Sequence, residues 1–205
     1  MKGPDRQTLE YYSRETARFM ETGPEREWIR DPIRRFAKVL RPGADVLELG
    51  CGGGHDAMAM ISLGLNVEAT DGTPGIAKVA EQRLHKPVRV MKFHEIDAEE
   101  SYDGIWASAT LLHVDRADFV DILSRVHRAL KPGGMLYASF KTGQPEGRDK
   151  FGRYFNYPSE EELRRDLSKA GMWSSIEIEK NSGYGSDQLL TDWLHCFAKK
   201  VAAKR

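Results

Sequence analysis

Between residues 45 and 140, short apolar runs alternate with longer stretches whose apolar residues stand three and four apart. Residues 45–49, 66–70, 88–93, 104–108 and 135–140 read as buried strands, and residues 56–63, 75–84 and 118–130 as amphipathic helices between them. That rhythm predicts βαβ units, hence a doubly wound, mostly parallel α/β sheet of at least five strands with helices on both faces. The turn Lys131-Pro132-Gly133-Gly134 separates the third helix from the fifth strand. Residues 174–179 alternate apolar and charged positions, and residues 193–198 form a last strand, with Gly183-Tyr184-Gly185 between them; these bring the expected sheet to seven strands.

The flanks follow other patterns. Helical spacing around Leu9, Tyr12, Ala17 and Phe19, and again around Trp28, Ile33, Phe36, Val39 and Leu40, predicts two helices leading into the sheet, divided at Gly23-Pro24. Residues 141–158 are rich in glycine, charge and aromatics, and are long for a plain connection. Ser159 with Glu162 three residues on is a capping box, so a helix starts there.

Composition narrows the classes. The 205 residues suit one domain, and the 31 basic and 31 acidic side chains cancel, so no global field favours nucleic acid. Two cysteines without metal or redox spacing fit a reducing compartment and no metal. No basic leader followed by an apolar stretch opens the chain, and residues 57–65 are interrupted by Ser62 and Gly64, so neither a membrane nor an exported location is expected; the reading is cytoplasmic. Oligomeric state leaves no mark on the sequence.

The candidate chemistry starts at Val46-Leu47-Glu48-Leu49-Gly50-Cys51-Gly52-Gly53-Gly54-His55-Asp56, where a strand breaks into glycines and then into a helix. Glycines there admit positive φ and let a ligand lie against the main chain. The spacing departs from the G-x-G-x-x-G of dinucleotide sites, while Asp71 ends the second strand about twenty residues on, where a carboxylate can accept both hydroxyls of a ribose. Ribose is supported and pyrophosphate is not.

Taken with Ala69-Thr70-Asp71-Gly72-Thr73-Pro74, Tyr102-Asp103-Gly104-Ile105-Trp106-Ala107, Leu111-Leu112-His113-Val114 and Leu130-Lys131-Pro132-Gly133-Gly134, in that order, the chain resembles the class I S-adenosylmethionine-dependent methyltransferases. Within them it looks like the small bacterial enzymes grouped with the tellurite-resistance and thiopurine types. The likeness covers residues 40–140 and extends loosely to the flanks. It implies a Rossmann-like fold with an N-terminal helical lid (residues 1–41) and S-adenosyl-L-methionine as cofactor. It places Glu48 at the methionine end, Gly50, Cys51, Gly52 and Gly54 along the floor, Asp71 at the ribose, Gly72 and Thr73 beside the adenosine, Phe93, His94 and Glu95 (with Ile96) near the adenine, and Ser108 at the cofactor after the fourth strand.

Each assignment has a plainer rival. Glu48 is either a cofactor contact or a solvated strand-end acid, and Asp71 a ribose ligand or a cap for the next helix. Cys51 reads as a packed residue rather than a nucleophile, and a metalloid thiol relay lacks its cysteines. His113 is the catalytic candidate, since it follows the fourth strand where the methyl is presented, with a structural role as its rival; His55 starts the helix beneath the cofactor and is a candidate contact. Asn156-Tyr157-Pro158 superficially matches the Asn-Pro-Pro-Tyr signature of amino-methylating nucleic-acid enzymes, but it stands in the wrong place and reads as a turn.

For the acceptor, residues 141–158 offer Lys141, Arg148 and Arg153 to an anion and Tyr154 and Phe155 as apolar surface, while Tyr11 and Tyr12 close over from the N-terminal helix. The rival is a surface loop whose arginines and aspartates pair with one another. The expected activity is methyl transfer to a small, anionic acceptor. Its alternatives are a non-catalytic S-adenosylmethionine-binding scaffold and an RNA or protein methyltransferase.

Overall fold

The computed structural model describes residues 3–17, 27–184 and 189–203, with the side chains of all but 27–30. The helix break expected at Gly23-Pro24 and the glycine at 185 lie outside the described residues. Helices α1 (Arg6–Arg14) and α2 (Glu27–Lys38) precede β1 (Asp45–Leu49), α3 (His55–Ser62), β2 (Asn66–Asp71), α4 (Pro74–Leu84), β3 (Arg89–Val90) and β4 (Tyr102–Ala107). Then come α5 (Arg116–Ala129), β5 (Leu130–Thr142), the short strands β6 (Gly147–Arg148) and β7 (Tyr154–Phe155), α6 (Glu160–Ala170), β8 (Trp173–Tyr184) and β9 (Leu190–Lys200).

The seven-stranded sheet runs β3-β2-β1-β4-β5-β9-β8, parallel as far as β5 and antiparallel for the last two pairs. Strand order reverses between β1 and β4, which opens a crevice at their carboxyl ends, where open α/β sheets bind ligands. The two-residue period of the strands explains the two cores. Leu47, Leu49, Ile105, Ala107, Leu136 and Ala138 face α5 and α6, while Val46, Trp106, Tyr137 and Phe197 face α2, α3 and α4. Trp106 stacks on Tyr137 at 3.9 Å and meets Phe36 edge-on. Gly104 is small because α2 needs the space: a Cβ there would come within 2.6 Å of the Phe36 ring.

Three expectations change in detail. Of residues 88–93 only Arg89–Val90 pair with β2, and Phe93–Glu95 form a 3-10 turn. Residues 131–134 are a bulge inside β5 rather than a break, because pairing with β4 passes from Tyr102↔Leu130 to Gly104↔Met135 and Gly133 takes φ 79°. The last two strands are about twice as long as the apolar alternation suggested, and they carry β5, β8 and β9 beyond the ends of β1 and β4 as a wall beside the crevice. Among the described residues no helix is long and apolar enough to cross a membrane.

Candidate active site

A cavity of about 320 Å³ lies in the crevice, and its floor is the turn after β1. Gly50, Gly52 and Gly54 have φ of 64°, 53° and 79°. Gly50 is the most constrained, since a Cβ would sit 2.0 Å from the Thr110 hydroxyl oxygen as well as straining the backbone. The Cys51 N–H donates to the Thr70 carbonyl at 2.8 Å, extending the β1–β2 ladder, and the Gly54 N–H closes the turn onto the Cys51 carbonyl at 2.9 Å. Arg83, from the last turn of α4, donates to the Gly53 carbonyl and braces the loop from outside.

Acidic groups gather at this end. Glu48, 2% exposed, and Asp71, 8% exposed, line the cavity with Asp56 from the first turn of α3, whose carboxylate accepts from the Trp106 indole N–H at 3.0 Å. Asp71 accepts from the Gly52 N–H at 3.1 Å and the Thr73 N–H at 2.8 Å, so one carboxylate ties the glycine turn to the start of α4. Burial pushes its pKa up to about 6, against the pull of those two N–H groups. Burial likewise drives the Cys51 thiol far up, which removes it as a nucleophile.

The opposite end is basic and aromatic. Lys141 on β5 lies opposite Trp193 on β9, with its ammonium 5.7 Å from that ring and 5.2 Å from Phe155. Arg153 is 2% exposed, chelated by Asp149 at 2.9 and 2.7 Å and faced by the rings of Tyr11, Tyr12, Phe151 and Phe155. His113 bonds the Tyr154 carbonyl through Nδ1 at 2.6 Å and the Tyr12 hydroxyl through Nε2 at 2.9 Å, and burial pulls its pKa down to about 4. Ala109, beside it in the wall, has φ 49° and is held by a hydrogen bond from its N–H to the Ser139 hydroxyl at 2.8 Å.

Helix α1 roofs this cavity. Asp5 caps it by accepting from the Thr8 N–H at 2.8 Å and also receives Arg148 through two bonds of 3.0 and 2.6 Å, which holds its carboxyl down at about 2. The Tyr154 N–H donates to the Thr8 hydroxyl at 2.9 Å.

Of the sequence-predicted residues, Glu48, Gly50, Cys51, Gly52, Asp71, Gly72, Thr73, Phe93, Ser108, Tyr12, His113, Lys141 and Arg153 share the cavity wall, as does His55. Phe155 lines it too, and the others stand outside. Gly54 underlies the turn, where a Cβ would press on Ala80 and Leu84 of α4. His94 and Glu95 face away because the 3-10 turn brings Met91 and Lys92 to the wall instead, and Glu95 accepts from the Lys92 N–H. Tyr11 packs behind Tyr12 against Phe151. Arg148 points out to Asp5, and the Tyr154 hydroxyl bonds Glu146, leaving only its carbonyl turned to His113.

Sequence reasoning passed over Asp56, Ile76, Thr110, Leu112 and Trp193 in the wall. Asn156, read from the sequence only as part of a turn, is fully buried, and its side-chain N–H groups donate to the Leu111 and Val114 carbonyls at 3.0 and 3.2 Å and clamp the turn that carries His113. Only Asp56, an acid in the first turn after the glycines, had a local signal.

Residues 47–138 match the model of a family described as methyltransferase domain. A ubiquinone biosynthesis O-methyltransferase of Xanthomonas campestris is 38% identical over 110 residues, which is 50% of this chain and 45% of that protein; the chain thus spans less than half the length of such relatives. Among solved structures, a Burkholderia thailandensis 1,6-didemethyltoxoflavin-N1-methyltransferase, bound to 1,6-didemethyltoxoflavin and S-adenosylhomocysteine, superimposes with a TM-score of 0.75 over 95% of this chain and 88% of its own, at 21% identity. A Methanosarcina mazei S-adenosylmethionine-dependent methyltransferase does so with 0.71 over 84% and 98%, at 20% identity.

Proposed function

We propose that this chain, whose residues 47–138 match the methyltransferase domain model, is an S-adenosylmethionine-dependent methyltransferase with a small, anionic acceptor. The observation that carries the reading is the division of charge in one cavity, with Glu48, Asp56 and Asp71 at the glycine end and Lys141 and Arg153 at the other. The cofactor has a sulfonium, an ammonium and a ribose but no phosphate, so it suits acids and exposed main chain rather than a basic cradle.

The residues present fit it. Filling the Gly50 site with a Cβ would collide with Thr110, and Asp71, although it already accepts two N–H groups, retains acceptor capacity for ribose hydroxyls. Glu48 would face the methionine end, Gly50, Cys51 and Gly52 the floor, Gly72, Thr73 and Phe93 the adenosine, and Ser108 the edge toward the acceptor. When bound, the cofactor supplies an electrophilic methyl group whose transfer is an in-line displacement. The protein's part is to align the acceptor, exclude water and cover the site with Leu9 and Tyr12 of α1.

Calorimetric titration with S-adenosylhomocysteine tests the reading. Wild type should bind, and Asp71→Asn should bind at least about tenfold more weakly, the scale of a lost charged hydrogen bond. Unaltered affinity in the variant would remove Asp71 from the site, and no binding by wild type would remove the cofactor.

A further inference from the structure

The direction of every hydrogen bond through His113 can be worked out. The Tyr154 carbonyl only accepts, so the Nδ1 atom 2.6 Å from it carries the hydrogen. Burial keeps the imidazole neutral, helped by Arg153 and Lys141 and opposed by Asp149, and a neutral imidazole has a single N–H. Nε2 is therefore the acceptor, and the Tyr12 hydroxyl 2.9 Å away donates to it. The Tyr12 oxygen in turn receives an Arg153 N–H at 3.4 Å, a contact long enough for an incoming hydroxyl to take its place.

We propose that Tyr12 is a catalytic residue that takes the proton of an acceptor hydroxyl while handing its own to His113 Nε2, so that the reaction served is O-methylation. The proposal rests on the reading of this cavity as a methyl-transfer site. Methylating a hydroxyl oxygen forms a C–O bond, leaves the C–S electron pair on sulfur and frees one proton, which is the only species the protein must take up. That proton goes to the Tyr12 oxygen, the Tyr12 proton goes to Nε2, and the imidazolium keeps its Nδ1–H on the Tyr154 carbonyl until product leaves and water takes the proton. His113 acts through Tyr12 and is a positioning residue.

The strength of the base selects the acceptor atom. An alkylated hydroxyl is a far stronger acid than an imidazolium held near 4, so even this weak base suffices. An alkylated amine keeps its proton up to about pH 10 and has none to pass on. An ammonium acceptor would also enter beside Lys141 and Arg153, which repel it.

The test supplies the protein with methyl-labelled S-adenosylmethionine and a protein-free small-molecule extract of bacterial cells, and locates the label by acid cleavage of methyl ethers. Label on oxygen is expected. Tyr12→Phe and His113→Gln should each slow transfer by about 100-fold, with the double variant no slower than either and S-adenosylhomocysteine affinity within about twofold of wild type. With S-adenosylmethionine kept saturating, so that the weaker cofactor binding below pH 6 does not enter, the wild-type kcat should fall as pH drops through about 4, with circular dichroism showing the fold intact, whereas the kcat of His113→Gln lacks that limb. Label on nitrogen or sulfur, a wild-type rate in either variant, or the same acid limb in His113→Gln overturns the relay. Bound S-adenosylhomocysteine with no label anywhere overturns methyl transfer itself, and the relay with it.

Discussion

At the glycine end of the cavity two short stretches, around Glu48 to Asp56 and Asp71 to Thr73, supply most of the wall, whereas the basic end draws Tyr12, His113, Lys141, Arg153, Phe155 and Trp193 from five separated segments. The glycine end is held by main chain: Asp71 bonds two N–H groups, and the turn is an extension of the β1–β2 ladder. Side chains meeting across long sequence distances hold the basic end, as where Tyr12 reaches His113. Damage at the first end should therefore be abrupt and local, and at the second graded and confined to the acceptor.

Gly50→Ala should break the comparison hardest. Its Cβ meets the Thr110 hydroxyl at 2.0 Å and φ is 64°, so S-adenosylhomocysteine binding should be lost by calorimetry. Adding Thr110→Gly, which removes both the hydroxyl at 2.0 Å and the Cβ at 2.8 Å, should relieve the collision and leave backbone strain of about 1–2 kcal/mol; binding as tight as wild type in Gly50→Ala alone would show the turn to be pliable. Acid should weaken the same end. Asp71 is a carboxylate only above about 6, so the affinity should plateau above pH 7 and fall as pH drops through 6. At pH 5 the loss is about tenfold, and Asp71→Asn should flatten the profile.

Lys141→Met should sharpen the contrast, raising the KM for acceptor by about tenfold, the scale of one charged contact, with no change in S-adenosylhomocysteine affinity. A shift in the cofactor constant instead would dissolve the division of labour. Smallest is Arg148→Ala: the pair with Asp5 is partly exposed, so unfolding free energy should fall by less than about 1 kcal/mol in denaturant titration. The Asp5 carboxyl is depressed, so the pair's stabilisation is present above its ordinary value of 3.8 and lost as pH falls toward 2.

The same contrast explains what could be read beforehand. Strands β1, β2, β4 and the core of β5, with the glycines and Asp71, are local patterns, and they were legible because each is complete within about ten residues. The basic end was legible only as a loop with the right residue types. Tyr11 and Tyr12 are both candidates to close over the site, although helical spacing sets only Tyr12 in line with Leu9, and the packing of α1 decides that Tyr12 meets the cavity and Tyr11 packs against Phe151. Arg148 and Arg153 likewise differ only by which side of the β6–β7 turn they leave, one toward Asp5 and one into the aromatic box. Trp193 joins Lys141 through antiparallel pairing across fifty residues, for which no short pattern exists.

Helix α1 has nine residues, fewer than the roughly 12–15 an isolated helix needs in water. Its cap, Asp5, is also the group that grips Arg148, and its Thr8 hydroxyl receives the Tyr154 N–H, so the contacts that shape the helix are those that seat it. A helix this short depends on those contacts, so substitutions that release them should loosen the helix itself as well as its seat. Because the same contacts border the cavity, hydrogen exchange in residues 6–14 should slow when S-adenosylhomocysteine is added, and an unchanged exchange rate would show the helix to be indifferent to the site below.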